Sequence, residues 1–177
     1  SLVDNALNNK EVFAKQNKKD EKILLEFVSA NPTGPLHIGH ARGAIAGDAL
    51  SRVGKYLGYD ITTEYYINDA GAQMDLLGLS VSLAARDFIF KEDVTYPETY
   101  YRGEYLIDIA NVVIEKFGKD IIYDEARFKE IAFFSKDLVM EIIIKDLKDL
   151  GITFDNFVSE KSLYSSWDTT KEVLEKN

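Results

Sequence analysis

Apolar and polar positions follow two different rhythms along the first half of the chain. Ile23, Leu24, Leu25, Phe27 and Val28 form a short, nearly continuous apolar run broken only by Glu26, the pattern of a central strand buried on both faces. Asn31, Pro32, Thr33, Gly34 and Pro35 stop it sharply. Ile38, Ala41, Ile45, Ala49, Val53 and Leu57 then recur at three- and four-residue spacing, which predicts a helix from about Ile38 to Leu57 ending at Gly58. The run from Ile61 to Ile67 predicts a second strand. Strand, helix and strand of this size make a βαβ unit with a right-handed crossover.

Beyond it, Asn68 or Asp69 can cap a helix running through Met74, Leu77, Val81 and Ala85. The stretch from Phe88 to Tyr101, around Pro97, reads as loop. Two further helices are predicted, Gly103 to Phe117 and Glu125 to Leu150, the second presenting Phe133, Met140, Ile144 and Leu147 on one face. Gly151 stops that helix, and Ile152, Phe154, Phe157 and Val158 point to a return towards the sheet. The stretch from Asp168 to Asn177 reads as a capped helix. The expected organisation is a lead-in helix or linker over residues 1–21, a first half-core over 22–85, a helical insertion over 86–150 and a return over 151–177.

With 177 residues and 46% apolar content, the chain can bury one substantial core. No apolar run approaches the roughly 20 residues that span a bilayer, and the N-terminus lacks a signal-peptide layout, so the expected compartment is the cytoplasm. Zero cysteines exclude disulfides and thiolate metal sites, and His37 and His40 lack the nearby carboxylates of a zinc site, so no protein-bound metal is expected. The balance of 21 basic against 30 acidic residues, a formal charge of -9, has the wrong sign for a surface that grips nucleic acid unaided.

The candidate chemistry lies between the first strand and its helix. Ligands of an open α/β sheet bind at the carboxyl ends of the strands, and a helix N-terminus offers unpaired amides and the positive end of a dipole to a triphosphate. His37 and His40 stand three apart on one face of the first turn, where both imidazoles can donate to phosphate oxygens as charge develops. Gly39 between them leaves room for a flat base or ribose. Plain capping is the other reading of the same residues. Glu26, the single charge of its strand, is expected to be buried and so to require a cationic or hydrogen-bonding partner, which an internal cation such as Arg42 or Arg52 could supply. Asn68 and Asp69 sit at a second strand-to-helix turn on the same side, either as caps or facing substrate. Tyr65 and Tyr66 alternate faces, so at least one belongs to the core. The acids Asp120, Asp124, Glu125 and Glu130 read as a solvated helix face.

The continuous string from Glu26 to Arg42 closely resembles the first signature of class I aminoacyl-tRNA synthetases, and Ser29-Ala30-Asn31-Pro32-Thr33-Gly34 is similar to the arginyl-tRNA synthetases in particular. Glu64 to Gln73, Tyr101 to Tyr105 and Phe154 to Leu163 resemble further blocks of that family, over residues 22 to about 165. The resemblance implies an α/β fold, the first half of a class I synthetase Rossmann-like nucleotide-binding core with a helical insertion. It implies activation of L-arginine by ATP, accompanied by Mg2+, to arginyl-adenylate and transfer to tRNA(Arg). By position, Pro35, His37, Gly39 and His40 would contact ATP, with His37 and His40 catalytic; Ser29 and Asn31 would hold the amino-acid head group, and Glu26 would face the guanidinium.

Two features depart from the family pattern. Nothing here resembles the lysine-bearing second signature, and family members that lack its lysine tend to carry one just before the first histidine, where this chain has Gly34. Nor do 177 residues hold the anticodon-binding helices and N-terminal tRNA-elbow domain of the family. The chain is therefore expected to be a piece of a longer enzyme, inactive alone and prone to self-association through an exposed apolar face, with a monomeric parent. The alternatives are another nucleotidylyltransferase of the same superfamily and a non-catalytic binding module.

Overall fold

The computed structural model describes residues 1–176 and is an α/β structure built on a three-stranded parallel sheet. Helix α1 (Leu2–Asn8) is closed by a reciprocal cap between Ser1 and Asp4. Strand β1 (Lys22–Glu26) leads through the expected turn into α2 (Ile38–Tyr56), and β2 (Asp60–Ile67) returns parallel to β1, with Glu26 opposite Glu64. The βαβ unit is therefore present. Its surroundings differ from expectation, because β1 is an edge strand of the order β1-β2-β3 and Leu24 is 62% exposed. An apolar run of this kind marks a strand with neighbours on both sides; among the described residues β1 has one.

The helical period of α2 is as predicted, but its apolar stripe faces outward. Ile38, Ile45 and Val53 are exposed, while Ala44, Gly47 and Ser51 turn to the sheet, since only small side chains let α2 approach Phe27.

Helix α3 (Ala72–Ala84) is capped by Gly71 without a side-chain bond, so neither Asn68 nor Asp69 caps it. It runs on into a π-helical turn, Ala85–Ile89, shortening the expected loop. Helix α4 (Tyr105–Phe117) follows, then two 3₁₀ turns, Lys119–Tyr123 and Glu125–Arg127, and α5 (Phe128–Asp149). Helix α5 therefore starts three residues later than expected, after a turn capped by Asp124. Its inward face is Ile131, Ala132, Ser135, Val139, Met140, Ile143 and Leu147, which includes Met140 and Leu147 of the predicted stripe; Phe133 is half-buried and Ile144 exposed, so the stripe is rotated only in part. Strand β3 (Asn156–Ser159) pairs parallel with β2, placing Tyr65 opposite Phe157. Short α6 (Glu160–Leu163) and α7 (Trp167–Glu175) end the described chain. Helix α7 begins before Asp168 and lacks a side-chain cap, and Asn177 lies outside the described residues.

One apolar cluster joins sheet and helices: Tyr65 and Ile152 by the strands, Leu77 and Val81 of α3, Val113 of α4, Ile143 and Leu147 of α5. Burial of such side chains, about 1.5–3 kcal/mol each, fixes α3 and α5 beside the carboxyl end of β2. Among the described residues no helix is long and apolar enough to cross a membrane.

Candidate active site

All three strands end on the same side, and each carboxyl end delivers a candidate residue. Glu26 to His40 follow β1, Asn68 and Asp69 follow β2, and Ser159 to Lys161 follow β3. Parallel strands leave their loops at one end of the sheet, which is where α/β proteins bind ligands.

The β1–α2 turn is strained. Val28 and Ser29 hold φ of 66° and 39°, left-handed values that are costly for a non-glycine residue and most of all for β-branched valine. Neighbours hold it from several sides. The Ser29 hydroxyl donates to the Glu26 carboxylate and accepts from the backbone N–H of Tyr66 at 3.1 Å. The Tyr65 hydroxyl donates to the Ala30 carbonyl at 2.9 Å, and the Tyr105 hydroxyl to that of Thr33 at 2.7 Å. Burial pushes both hydroxyls up to about 12, so they remain protonated donors. Asn68 Nδ2 donates to Asn31 Oδ1 at 3.2 Å, and Gln73 Nε2 holds the Asn68 carbonyl at 2.7 Å.

The two histidines cap α2 and each other. His37 Nδ1 accepts from the Gly39 N–H at 3.1 Å, and His40 Nδ1 accepts from the His37 N–H at 3.2 Å; the rings stack with centroids 3.8 Å apart. The N–H groups of His40 and Ala41 go to the His37 carbonyl. The amides of the first turn, expected to be free for phosphate, are therefore largely engaged. An Nδ1 that accepts fixes the neutral tautomer with its proton on Nε2, so both imidazoles offer an Nε2–H instead. His40 is held below its ordinary value first by burial, which disfavours the imidazolium, and second by the neighbouring charge of His37. Gly39 is needed for the same packing, because a Cβ there would stand 2.9 Å from His37 Cε1, so the space kept open is filled by the histidine ring. His37 also lines a cleft of about 390 Å³ with Leu36, Ile38, Ala41, Leu147 and Leu150, while Pro35 is half-buried in the turn. A larger cavity, about 600 Å³, is walled by Tyr96, Tyr100, Tyr101 and Arg102 and shares no lining residue with it; its size does not compensate for the lack of the histidines.

Two expectations change. Glu26 is exposed, not buried, and neither arginine meets it: Arg52 pairs with Asp48 at 2.6 Å and donates to the Gly151 carbonyl at 2.8 Å, and Arg42 lies exposed on α2. Asp69 is 3% exposed and turned inward. It accepts from the Ser159 hydroxyl at 2.8 Å and the Lys161 N–H at 3.1 Å, and lies 3.6 Å from Lys136 Nζ. It ties β2, β3 and α5 together and does not face the cleft. The tyrosine clamps were not foreseen as site residues; Tyr105 was visible only as the end of a block without a role. Tyr66 is half-buried, and its hydroxyl is pushed up first by lost solvent and then by the negative charges of Glu160, Asp69 and Glu26, with Tyr164 beside them. Among the described residues no three His, Asp or Glu side chains gather as a metal site.

A family profile described as tRNA synthetases class I (R), catalytic domain, matches residues 2–167. The chain is 79% identical over all of its length to an arginine–tRNA ligase of Aliarcobacter butzleri and 64% identical, over 92% of its length, to one of Sulfurimonas denitrificans. It covers 34% and 31% of those proteins, so it spans about a third of their length. A crystal structure from Campylobacter jejuni, assigned to an arginyl-tRNA synthetase, superposes with a TM-score of 0.89 at 48% identity, over 99% of this chain and 39% of that one. The Thermus thermophilus arginyl-tRNA synthetase shares the fold at a TM-score of 0.62 and 20% identity, over 98% of this chain and 29% of that one. The strained turn, the histidine-capped helix and the parallel strands thus occur in a chain that belongs to the arginine-type class I tRNA synthetase catalytic domains.

Proposed function

We propose that the chain supplies the nucleotide-binding part of an enzyme that ligates L-arginine to tRNA(Arg) through arginyl-adenylate, with its insertion at residues 86–150. The observation that carries this reading is the histidine pair: both Nδ1 atoms are tied to backbone amides, and both Nε2–H groups remain as donors at the start of α2. The arginine carboxylate attacks the α-phosphorus of ATP and expels pyrophosphate; a terminal ribose hydroxyl of the tRNA then attacks the adenylate carbonyl and releases AMP. His37 and His40 donate to phosphate oxygens as charge develops, and the dipole of α2 acts in the same sense. Pro35 shapes the floor for ATP, and Gly39 lets the His37 ring pack against the helix start beside it. Asn31, whose side-chain carbonyl is held by Asn68, holds the amino-acid head group, and Ser29, engaged by Glu26 and the Tyr66 N–H, fixes the turn that presents it. Glu26, exposed and free of any internal cation, faces the guanidinium, with Glu160 adding negative charge nearby. Mg2+ comes with ATP as part of the substrate. The enzyme works in the cytoplasm as a monomer. The isolated chain lacks a second phosphate clamp and is inactive, and the outward stripe of α2 with the open edge of β1 supports its self-association.

In the full-length enzyme carrying this sequence, His37→Ala and His40→Ala each slow ATP–pyrophosphate exchange by about 10²-fold or more, with arginine affinity changed less. Normal exchange by either variant removes that histidine from the chemistry.

A further inference from the structure

Tyr105 opens α4, the first full helix of the insertion, and its side chain crosses to a turn 72 residues earlier in the chain. Its hydroxyl donates to the Thr33 carbonyl, and its ring fits into a slot between two glycines. A Cβ on Gly34 would stand 3.2 Å from the hydroxyl oxygen and 3.3 Å from Cζ, and one on Gly103 would stand 2.8 Å from Cδ1 and Cε1. Gly34 lies outside the left-handed region, so its own backbone does not demand glycine; the ring of Tyr105 does. Thr33 and Pro32 are buried, so the Thr33 carbonyl depends on this hydroxyl more than on water. From Thr33 the chain reaches His37 through Gly34, Pro35 and Leu36, a link shortened in freedom by the fixed φ of proline. Upstream, the left-handed Val28 and Ser29 make the turn a segment that keeps its shape only while its neighbours hold it. Tyr65 holds one end from the sheet and Tyr105 the other from the insertion.

We propose that Tyr105 is a positioning residue: it couples the insertion to the β1–α2 turn and sets the placement of His37 without touching substrate. This rests on the function proposed above. In the full-length enzyme, Tyr105→Phe keeps the ring in its slot and removes the hydroxyl alone. Its kcat per active site for ATP–pyrophosphate exchange falls about tenfold, the scale of a small misplacement of a reacting group. KM for arginine stays within about twofold, and the melting temperature falls by no more than roughly 5 °C, the cost of one unsatisfied carbonyl. Gly34→Ala, which presses on the same ring, gives the same kcat-selective loss, and the double variant loses less than the product of the two single effects because both act through one contact. A purely structural Tyr105 would lower the melting temperature and the titrated fraction of active sites but leave kcat per site unchanged, and unchanged kcat per site overturns the proposal. Independent, multiplicative losses in the double variant overturn it as well. His37→Ala, run alongside, separates the two levels: slow exchange there with normal exchange in Tyr105→Phe rejects the positioning role alone, whereas normal exchange in His37→Ala rejects the function and takes this role with it.

Discussion

Replacing Asp69 by asparagine removes one negative charge from a nearly closed site while conserving shape. The carboxylate is 4% exposed at its side chain and the facing Lys136 16%, so little solvent screens the pair at 3.6 Å. Breaking a buried pair by deleting one partner typically costs about 3–5 kcal/mol. Two features reduce that here. Lys136 keeps a second carboxylate, Asp137, at 2.7 Å, so its ammonium is not orphaned, and the asparagine carbonyl can still accept from the Lys161 N–H at the position of Asp69 Oδ1. The amide NH2 is then left near the lysine, donor against donor. The expected loss is about 2–3 kcal/mol, which for a chain of this size lowers the melting temperature by roughly 5–10 °C. The assay is thermal unfolding followed by far-ultraviolet circular dichroism, with Asp137→Asn as the control. Asp137 is 66% exposed at its side chain, and its loss shifts stability by less than about 1 kcal/mol. An Asp69→Asn protein that melts within about 1 °C of the parent, but binds substrate poorly, would refute the inward-facing role and return Asp69 to the cleft.

Two further outcomes are expected. Glu26→Gln in the full-length enzyme weakens arginine binding by about 1.5–3 kcal/mol in calorimetry, and because Glu26 is exposed with no internal cation beside it, the melting temperature stays unchanged; a lowered melting temperature with intact arginine affinity refutes the assignment. His40 titrates below 6.5 in an NMR pH series, since burial and the nearby His37 both disfavour its charged form. A histidine held below its unfolded value contributes stability that is present above about pH 6.5 and is lost as pH falls through the folded value, so a His40 midpoint above 6.5 contradicts the packing described.

The order of elements and the chemistry-bearing turn were legible because both are local. Periodicity places α2 and β2, and the Asn31 to Pro35 break marks the turn. What failed were inferences about what each element faces. The apolar run of β1 implies neighbours on both sides, and the apolar stripe of α2 implies a buried face, yet β1 is an edge and Ile38 of α2 is 89% exposed. Hydrophobic period reports that a face is apolar; contact with the sheet is decided by how close a helix can come, which Ala44, Gly47 and Ser51 permit and Ile45 would not. Glu26 was misplaced for the same reason, since its burial was inferred from the strand around it. Asp69 could not be recognised as a buried tie, because Ser159 and Lys136 lie far along the chain and nothing in a short window links them to it.

The capping of α2 shows how a local pattern can carry two functions that seem to compete. A helix start filled by side chains satisfies its amides and so gives up the direct anion site that free N–H groups would provide. Serine or aspartate in those positions would end the matter, since each offers only acceptors or a small hydroxyl to the turn. Imidazole does not, because an Nδ1 committed to a backbone N–H forces the proton onto Nε2, on the far side of the ring. His37 and His40 thus convert two amides of α2 into two donors displaced outward from the helix start. The conversion works only while both rings are neutral: protonating Nδ1 breaks the cap and sets two like charges in rings stacked 3.8 Å apart. Burial that holds His40 below its ordinary value is therefore part of the same arrangement as the cap, and the strain stored at Val28 and Ser29 is the neighbouring cost of bringing β1 into it.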